Sequence, residues 1–196
     1  MKIWLLRSNL SEEFEDLQLV DFDRDSKQFD KFNETHSIAK LWNDVEVYTL
    51  TKGLQNDFPH FWGRSFVPVL SKSAKNFIND LIEGKAEALP LIHSEHEYYA
   101  VHVFNTIDAI NYNKAVIKKL PSGLRVGFKM YSFIPEKVIG QHIFKVYLDN
   151  RVHSVIFVSD TFKERVTSSS LIGYDFVEVW DSEKEDFDQP LFPSGM

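Results

Sequence analysis

The apolar positions of this chain fall in short runs separated by polar, turn-rich stretches, and two of the runs lead into the same pattern. Val67-Pro-Val-Leu-Ser71 continues as Lys72-Ser-Ala-Lys75-Asn-Phe-Ile78 and, beyond Glu83-Gly84-Lys85, as Ala88-Leu-Pro-Leu-Ile92. Val155-Ile-Phe-Val-Ser159 continues as Asp160-Thr-Phe-Lys163-Glu-Arg-Val166 and then as Gly173-Tyr-Asp-Phe-Val177-Glu-Val-Trp180. Aligning Ser71 with Ser159 also aligns Lys75 with Lys163 and Ile78 with Val166. Each stretch reads as strand, cap, helix, strand. Ser71 and Ser159 are suited to accept from the first free amides of a helix. Ala74, Phe77, Ile78 and Leu81 in one copy, and Phe162 and Val166 in the other, recur at helical spacing. Glu83-Gly84-Lys85 marks a stop, because glycine tolerates the left-handed cap. A capped helix after a strand can hold an anion, but the glycines that admit a phosphate are missing, so the serines read as caps. Two copies also fall short of a solenoid.

The other runs predict strands and hairpins. Ile3-Trp-Leu-Leu6 is a short first strand, and Leu41–Leu50 a half-exposed one in which Val45 and Val47 alternate with Glu46 and Tyr48. Pro68 places its run at a sheet edge. Val116–Leu120, a Pro121-Ser-Gly123 turn and Leu124–Phe133 form one hairpin, with Leu124, Val126, Phe128 and Met130 on its apolar face. Ile143–Leu148, Asp149-Asn150 and Arg151–Val158 form a second. The fold class expected is α+β, a mostly antiparallel sheet with two repeated strand–cap–helix–strand units. Residues 1–180 make a single domain, with a more variable part at 1–65 and the repeat-containing core at 66–180. Residues 181–196 form an acidic tail, either flexible or loosely docked.

Composition narrows the function classes. Of 196 residues, 43% are hydrophobic and Phe occurs 17 times, enough for an aromatic-rich core. There is no Cys, which excludes disulfides and thiolate metal sites and fits a reducing compartment. A net charge of -7 argues against phosphate-driven nucleic-acid binding and against a basic membrane-surface patch. The run at Met1–Leu6 is too short for a signal peptide and no run reaches membrane-spanning length, so a cytoplasmic protein is expected.

Candidate chemistry is sparse. Asp21-x-Asp23-x-Asp25 matches the start of a calcium loop, but Ser26 and Phe32 stand where its glycine and closing glutamate belong. Residues 8–34 then read as a solvated acidic loop anchored by Phe14, Phe22, Phe29 and Phe32. Asn56-Asp-Phe-Pro59 and His60-Phe-Trp62 read as an aromatic loop pinned to the core. His93, His96 and His102 are the most metal-like group, although they lack the HExxH spacing. On a strand, His96, Tyr98, Ala100 and His102 share one polar face. Asn105, Asp108 and Asn111 read as residues that fix turns. No nucleophile elbow, P-loop or Rossmann glycine signature is present, and no carboxylate pair stands in an apolar context.

Several segments together resemble a known family. They are Val69-Leu-Ser71 with its helix; Leu89-Pro-Leu, Tyr98-Tyr99 and Asn105 leading to Asp108-Ala-Ile-Asn111; His142-Ile-Phe144; and Val158-Ser159-Asp-Thr-Phe-Lys163 followed by Gly173-Tyr-Asp-Phe176-Val-Glu-Val. This order is similar to the DUF1629 family, also described as Imm11 immunity proteins of bacterial polymorphic toxin systems. It covers roughly residues 40–180, and Asn111 stands where the pattern has Asp. The resemblance implies a non-enzymatic protein without cofactors that binds a cognate toxin and neutralises it. No family motif marks the contacts. Charge and aromaticity nominate Asp21, Asp23, Asp25, Trp62, Glu183, Glu185 and Asp186, an acidic surface for a basic toxin. Two alternatives are a metal-dependent hydrolase using His93, His96 and His102, and a homo-oligomeric subunit paired through the edge at Pro68.

Overall fold

A computed structural model describes residues 1–192; residues 193–196, the end of the expected tail, lie outside the described residues. In chain order the strands are β1 (Lys2–Ser8), β2 (Asp16–Leu19), β3 (Val47–Thr51), β4 (His60–Phe61), β5 (Val69–Ser71), β6 (Ala86–Leu91), β7 (Tyr98–Val103), β8 (Thr106–Ile107), β9 (Val116–Lys119), β10 (Arg125–Met130), β11 (Ile143–Leu148), β12 (Arg151–Ser159) and β13 (Tyr174–Asp181). The helices are α1 (Phe22–Asp25), α2 (Lys72–Ile82), α3 (Pro135–Val138) and α4 (Asp160–Thr167). The structure is thus mixed α and β, mostly strand, in several sheets. The largest runs β13-β1-β12-β11-β8, beside three-stranded sheets β5-β7-β6 and β3-β2-β4 and the β9/β10 pair. Pairing is antiparallel except for β8 on β11 and β2 on β4.

Both capped helices form where the pattern places them. Ser71 Oγ accepts from Ala74 N at 3.1 Å, and Ser159 Oγ from Phe162 N at 3.3 Å. α2 stops at Ile82, and Gly84 follows in the left-handed region at φ 68°. The strands flanking each helix are parallel to one another but not neighbours. β7 lies antiparallel between β5 and β6, and β1 lies antiparallel between β12 and β13. The two helices bury their apolar faces in one cluster: Ala74, Ile78, Leu81 and Ile82 of α2 with Phe162 and Val166 of α4. Arg165 of α4 reaches Asp80 of α2 at 3.0 Å.

Period-two alternation then fixes which side chains meet. β1 sends Leu6 and Trp4 toward the helices and Ile3 and Leu5 to the opposite face; β12 likewise splits Ile156 and Val158 from Phe157. The opposite face gathers Phe128, Tyr131, Phe133, Phe144, Phe157 and Trp180. There Phe133 meets Phe144, Phe157 and Trp180 edge-on, which is where much of the phenylalanine excess goes. The sheet β5-β7-β6 is covered on its second face by Leu17, Leu19, Phe29, Phe32 and Phe61 from the N-terminal part. Each such side chain contributes about 1.5–3 kcal/mol through burial.

Four sequence expectations are corrected or refined. Residues 8–34 are not one solvated loop. They contain β2, α1 and a 3-10 segment Ser26–Asn33, in which Phe29 and Phe32 are buried while Phe22 stays exposed. The strand expected across Leu41–Leu50 begins only at Val47, after a 3-10 turn Ala39–Leu41. The even-position apolar face of β10 does not hold. Register shifts between Arg125 and Gly127 and between Phe128 and Met130 leave Leu124 and Val126 exposed while Phe128, Met130 and Tyr131 are buried. The second hairpin forms as expected, its turn residues Asp149 and Asn150 both at positive φ, 51° and 62°. Of the two expectations for the segment after Trp180, the docked one is seen through Phe192. Gln189 is buried, accepts from Asp181 N at 3.0 Å and donates to Asp181 O at 2.7 Å, and the Phe192 ring meets Tyr131 edge-on.

Candidate functional site

The acidic candidates at 21–25 are built by a helix start. Asp21 is the N-cap of α1, its carboxylate accepting from Arg24 N at 2.9 Å, and both it and Asp23 are exposed. Asp25 is different: it is 1% exposed and forked by Arg24, whose Nε and Nη2 donate at 2.8 and 2.7 Å. Its carboxylate is committed to this pair inside the fold, unlike those of Asp21 and Asp23. The i, i+2 spacing that matched a calcium loop is therefore a cap followed by an internal ion pair.

Trp62 follows β4 and is 48% exposed, with its Nε1 donating to Asp16 at 3.2 Å and its ring beside His60. Beside it the chain turns at Gly63, where a Cβ would stand 3.0 Å from the Phe22 ring. The Arg64 guanidinium lies over Phe22 and Phe29. Asp21, Phe22, Asp23 and Trp62 thus belong to one neighbourhood. The tail acids lie elsewhere: Asp186 pairs with Lys114 at 3.1 Å, Glu183 stands 3.8 Å from the N-terminal amine, and Glu185 is exposed. The structure does not bring the nominated residues into one patch.

The three histidines do not converge either. His93 and His96 stack with centroids 5.5 Å apart. His93 Nδ1 accepts from Glu95 N and His96 N, and its Nε2 lies 3.2 Å from Thr49 Oγ1. Burial, and then the neighbouring His96, hold His93 below the ordinary imidazole value. His102 shares its strand face with Tyr98 and Ala100, as the alternation requires, but that face is buried rather than wet. Its Nδ1 lies 2.9 Å from Glu87 Oε1 and its Nε2 3.1 Å from the Glu34 carbonyl, so neither nitrogen is left for a metal. Among the described residues no three His, Cys, Asp or Glu are grouped to hold an ion. The edge at β5 is real but short. Pro68 is buried, and Ser71 N already donates to Asp57 O.

Two buried ionisable groups, Glu15 and Lys145, and the half-buried Glu87 escaped the sequence reading. Glu15 accepts from the Tyr98 hydroxyl and, at 3.4 Å, from Thr49. Glu87 joins His102 to Ile38 N and Ser37. Lys145 is 3% exposed, and its ammonium donates to the Phe32 carbonyl at 2.6 Å. Only Lys145 carried a signal, a lysine inside the apolar run Ile143–Leu148. Two open clefts of about 330 Å³ each are present. One is lined by Asp57, Ser71, Lys72, Glu95, His96 and Glu97, the other by Asp30, Asn33, Arg64, Phe66, Lys145 and Ser154 among others.

Against known proteins, residues 92–181 match the immunity protein family Imm11. The match bears out the resemblance read from the motifs, with a start later than residue 40. It spans β7 through β13, and therefore the second capped helix but not the first. No curated protein matches the chain.

Proposed function

We propose, with the Imm11 match over residues 92–181 as the premise, that this chain binds a cognate bacterial toxin and neutralises it by occupation rather than by chemistry. That match is the observation that carries the reading. The proposed setting is a polymorphic toxin system, and the proposed location is the cytoplasm, in keeping with a chain that has no cysteine. The hydrolase alternative has lost its support, since His102 is committed to Glu87 and Glu34 while His93 and His96 stack apart from it. Two further features favour a surface made to be gripped. A chain of net charge -7 attracts a basic partner over distance. The neighbourhood of Asp21, Asp23 and Trp62 sets exposed carboxylates beside half-exposed rings, Phe22 at 44% and Trp62 at 48%, which suit an interface core with a charged rim. We also read the two split strand–helix–strand units as one unit used twice, since each flanks an antiparallel strand with a parallel pair.

The test is co-purification of the tagged chain from its native cell at low and at high salt. A toxin whose retention falls with salt is expected. Recovery of no salt-sensitive partner overturns the reading. A neighbouring upstream gene with a C-terminal toxin domain names the partner to try first.

A further inference from the structure

The cleft bounded by the 3-10 segment Ser26–Asn33, the loop after β4 and strand β11 holds an arrangement that the fold alone does not require. Lys145 is the one Lys or Arg among the described residues that is fully buried. Its ammonium has three protons, of which the structure satisfies one, at the Phe32 carbonyl. Among the described residues no carboxylate comes within ion-pair distance of it. Arg64 lines the same cleft. It donates from Nη1 to Gly63 O and from Nη2 to Ser26 O, and its Nε is buried with no partner at all. Asn33 accepts from Ser154 at Oδ1, which leaves its amide to donate. A buried cation without a counter-charge is a large desolvation burden, and a buried N–H without an acceptor adds to it. In a chain that carries 29 acids against 22 basic residues, acids to relieve both were plentiful, yet Asp30 at the lining pairs with neither.

We propose that this cleft is a receptor for a carboxylate, which accepts from Lys145 Nζ and Arg64 Nε and, under the toxin-binding reading on which this part rests, is an Asp or Glu side chain of the bound toxin. Charge selects the class. Two cations and the exposed Asp30 at the lining leave the cleft singly positive, which a carboxylate neutralises and a doubly charged phosphate overshoots. Size agrees, since about 330 Å³ takes a short acidic side chain with room for water. The surroundings agree as well. Phe66 on the lining is 65% exposed and Phe22, stacked under Arg64, is 44% exposed, so an entering side chain is flanked by apolar area that a protein partner covers. In this reading the broad acidic surface gathers a basic toxin, and this positive cleft fixes the register by accepting a single acid.

The probe is acetate, titrated into the intact protein at constant ionic strength held with chloride, with inorganic phosphate in a parallel series. The Arg64 Nε–H resonance, identified by its loss in Arg64→Gln, is followed. A saturable acetate shift is expected in the wild type, weakened about tenfold or more in Lys145→Met, a difference of about 1.4 kcal/mol. Phosphate is expected to bind more weakly than acetate. Lys145→Met keeps the aliphatic stem and removes a buried charge, so it is expected to fold. An absent acetate shift, an equal shift in Lys145→Met, or tighter binding of phosphate would each overturn the proposal. The titration contains no toxin, so its failure leaves the co-purification result untouched, and failed co-purification leaves the cleft standing as a carboxylate site.

Discussion

Lys145 shows what a single buried charge does to the whole chain. Burial pushes its ammonium down to about 8 from an ordinary 10.5. The folded state therefore binds this proton less readily than the unfolded chain, and stability rises with pH across the window from about 8 to about 10.5. Below that window the fold carries the full penalty, about 3 kcal/mol by linkage. Lys145→Met is expected to be more stable at neutral pH by about 2 kcal/mol, once the lost hydrogen bond to Phe32 is counted. Its unfolding free energy should also lose the rise at alkaline pH, measured by denaturant unfolding across the window. On the acid side, burial pushes His153 down to about 4, beside the Tyr131 hydroxyl at 3.2 Å. The stability it supplies is complete above the ordinary imidazole range and is lost as pH falls through about 4. Gly173 is a residue-scale constraint of another kind. It sits at φ +92° and an added Cβ would lie 2.3 Å from Asn56 Oδ1, which itself accepts from Phe58 N. Gly173→Ala is expected to lose about 2–4 kcal/mol in thermal unfolding, whereas Gly84→Ala, with open space around it, should lose only about 1.

At the level of elements, the serine caps were legible because a cap is local chemistry: one side-chain oxygen, three residues from the amide it serves. What the two caps are worth differs through partners that spacing does not reveal. Ser71 also donates to Asp57 at 2.6 Å, and Asp57 in turn accepts from Ile172 N at 3.1 Å, so this cap ties α2 to the loop before β13. Ser159 adds a contact to His142 Nδ1 at 3.0 Å. Ser159→Ala should cost about 1 kcal/mol and Ser71→Ala about 2, since the latter strands a carboxylate oxygen as well. Chemical denaturation of the two variants compares them directly. β10 shows the opposite case. Its alternation was plain in the sequence, yet two bulges against β9 turn Val126 outward. A one-residue slip exchanges the faces of a strand, and nothing in the alternation itself announces it.

For the whole molecule, the exposed acids and the buried ones part company. Under the proposed toxin binding, Asp21→Asn with Asp23→Asn is expected to slow capture of the partner several-fold at low salt while leaving the unfolding midpoint nearly unchanged, because both side chains face water. Asp25→Asn should instead destabilise the fold, since it breaks a forked pair with Arg24 and leaves the guanidinium half-served. Stopped-flow association beside thermal unfolding separates the two effects. The tail follows the same rule. Gln189 closes both backbone groups of Asp181, so the acids after Trp180 ride on a docked segment whose anchor is an amide.

Hydrophobic period, cap chemistry and the Asp149-Asn150 turn by themselves determined the mixed strand-rich class, both capped helices and the β11–β12 hairpin. Each of these is written within a few neighbouring residues. The family resemblance was legible for a similar reason, since its motifs lie along one continuous stretch. Only the tertiary structure decided which acids are free and which are spent, that His102 is sealed with Glu87 while His93 and His96 stack apart from it, and that Lys145 from β11 lines one cleft with Arg64 from the loop after β4. Those outcomes depend on side chains far apart in sequence, brought together by the cover of one sheet face by another segment. Burial, and with it charge state and partnership, is a property of that arrangement and not of spacing along the chain.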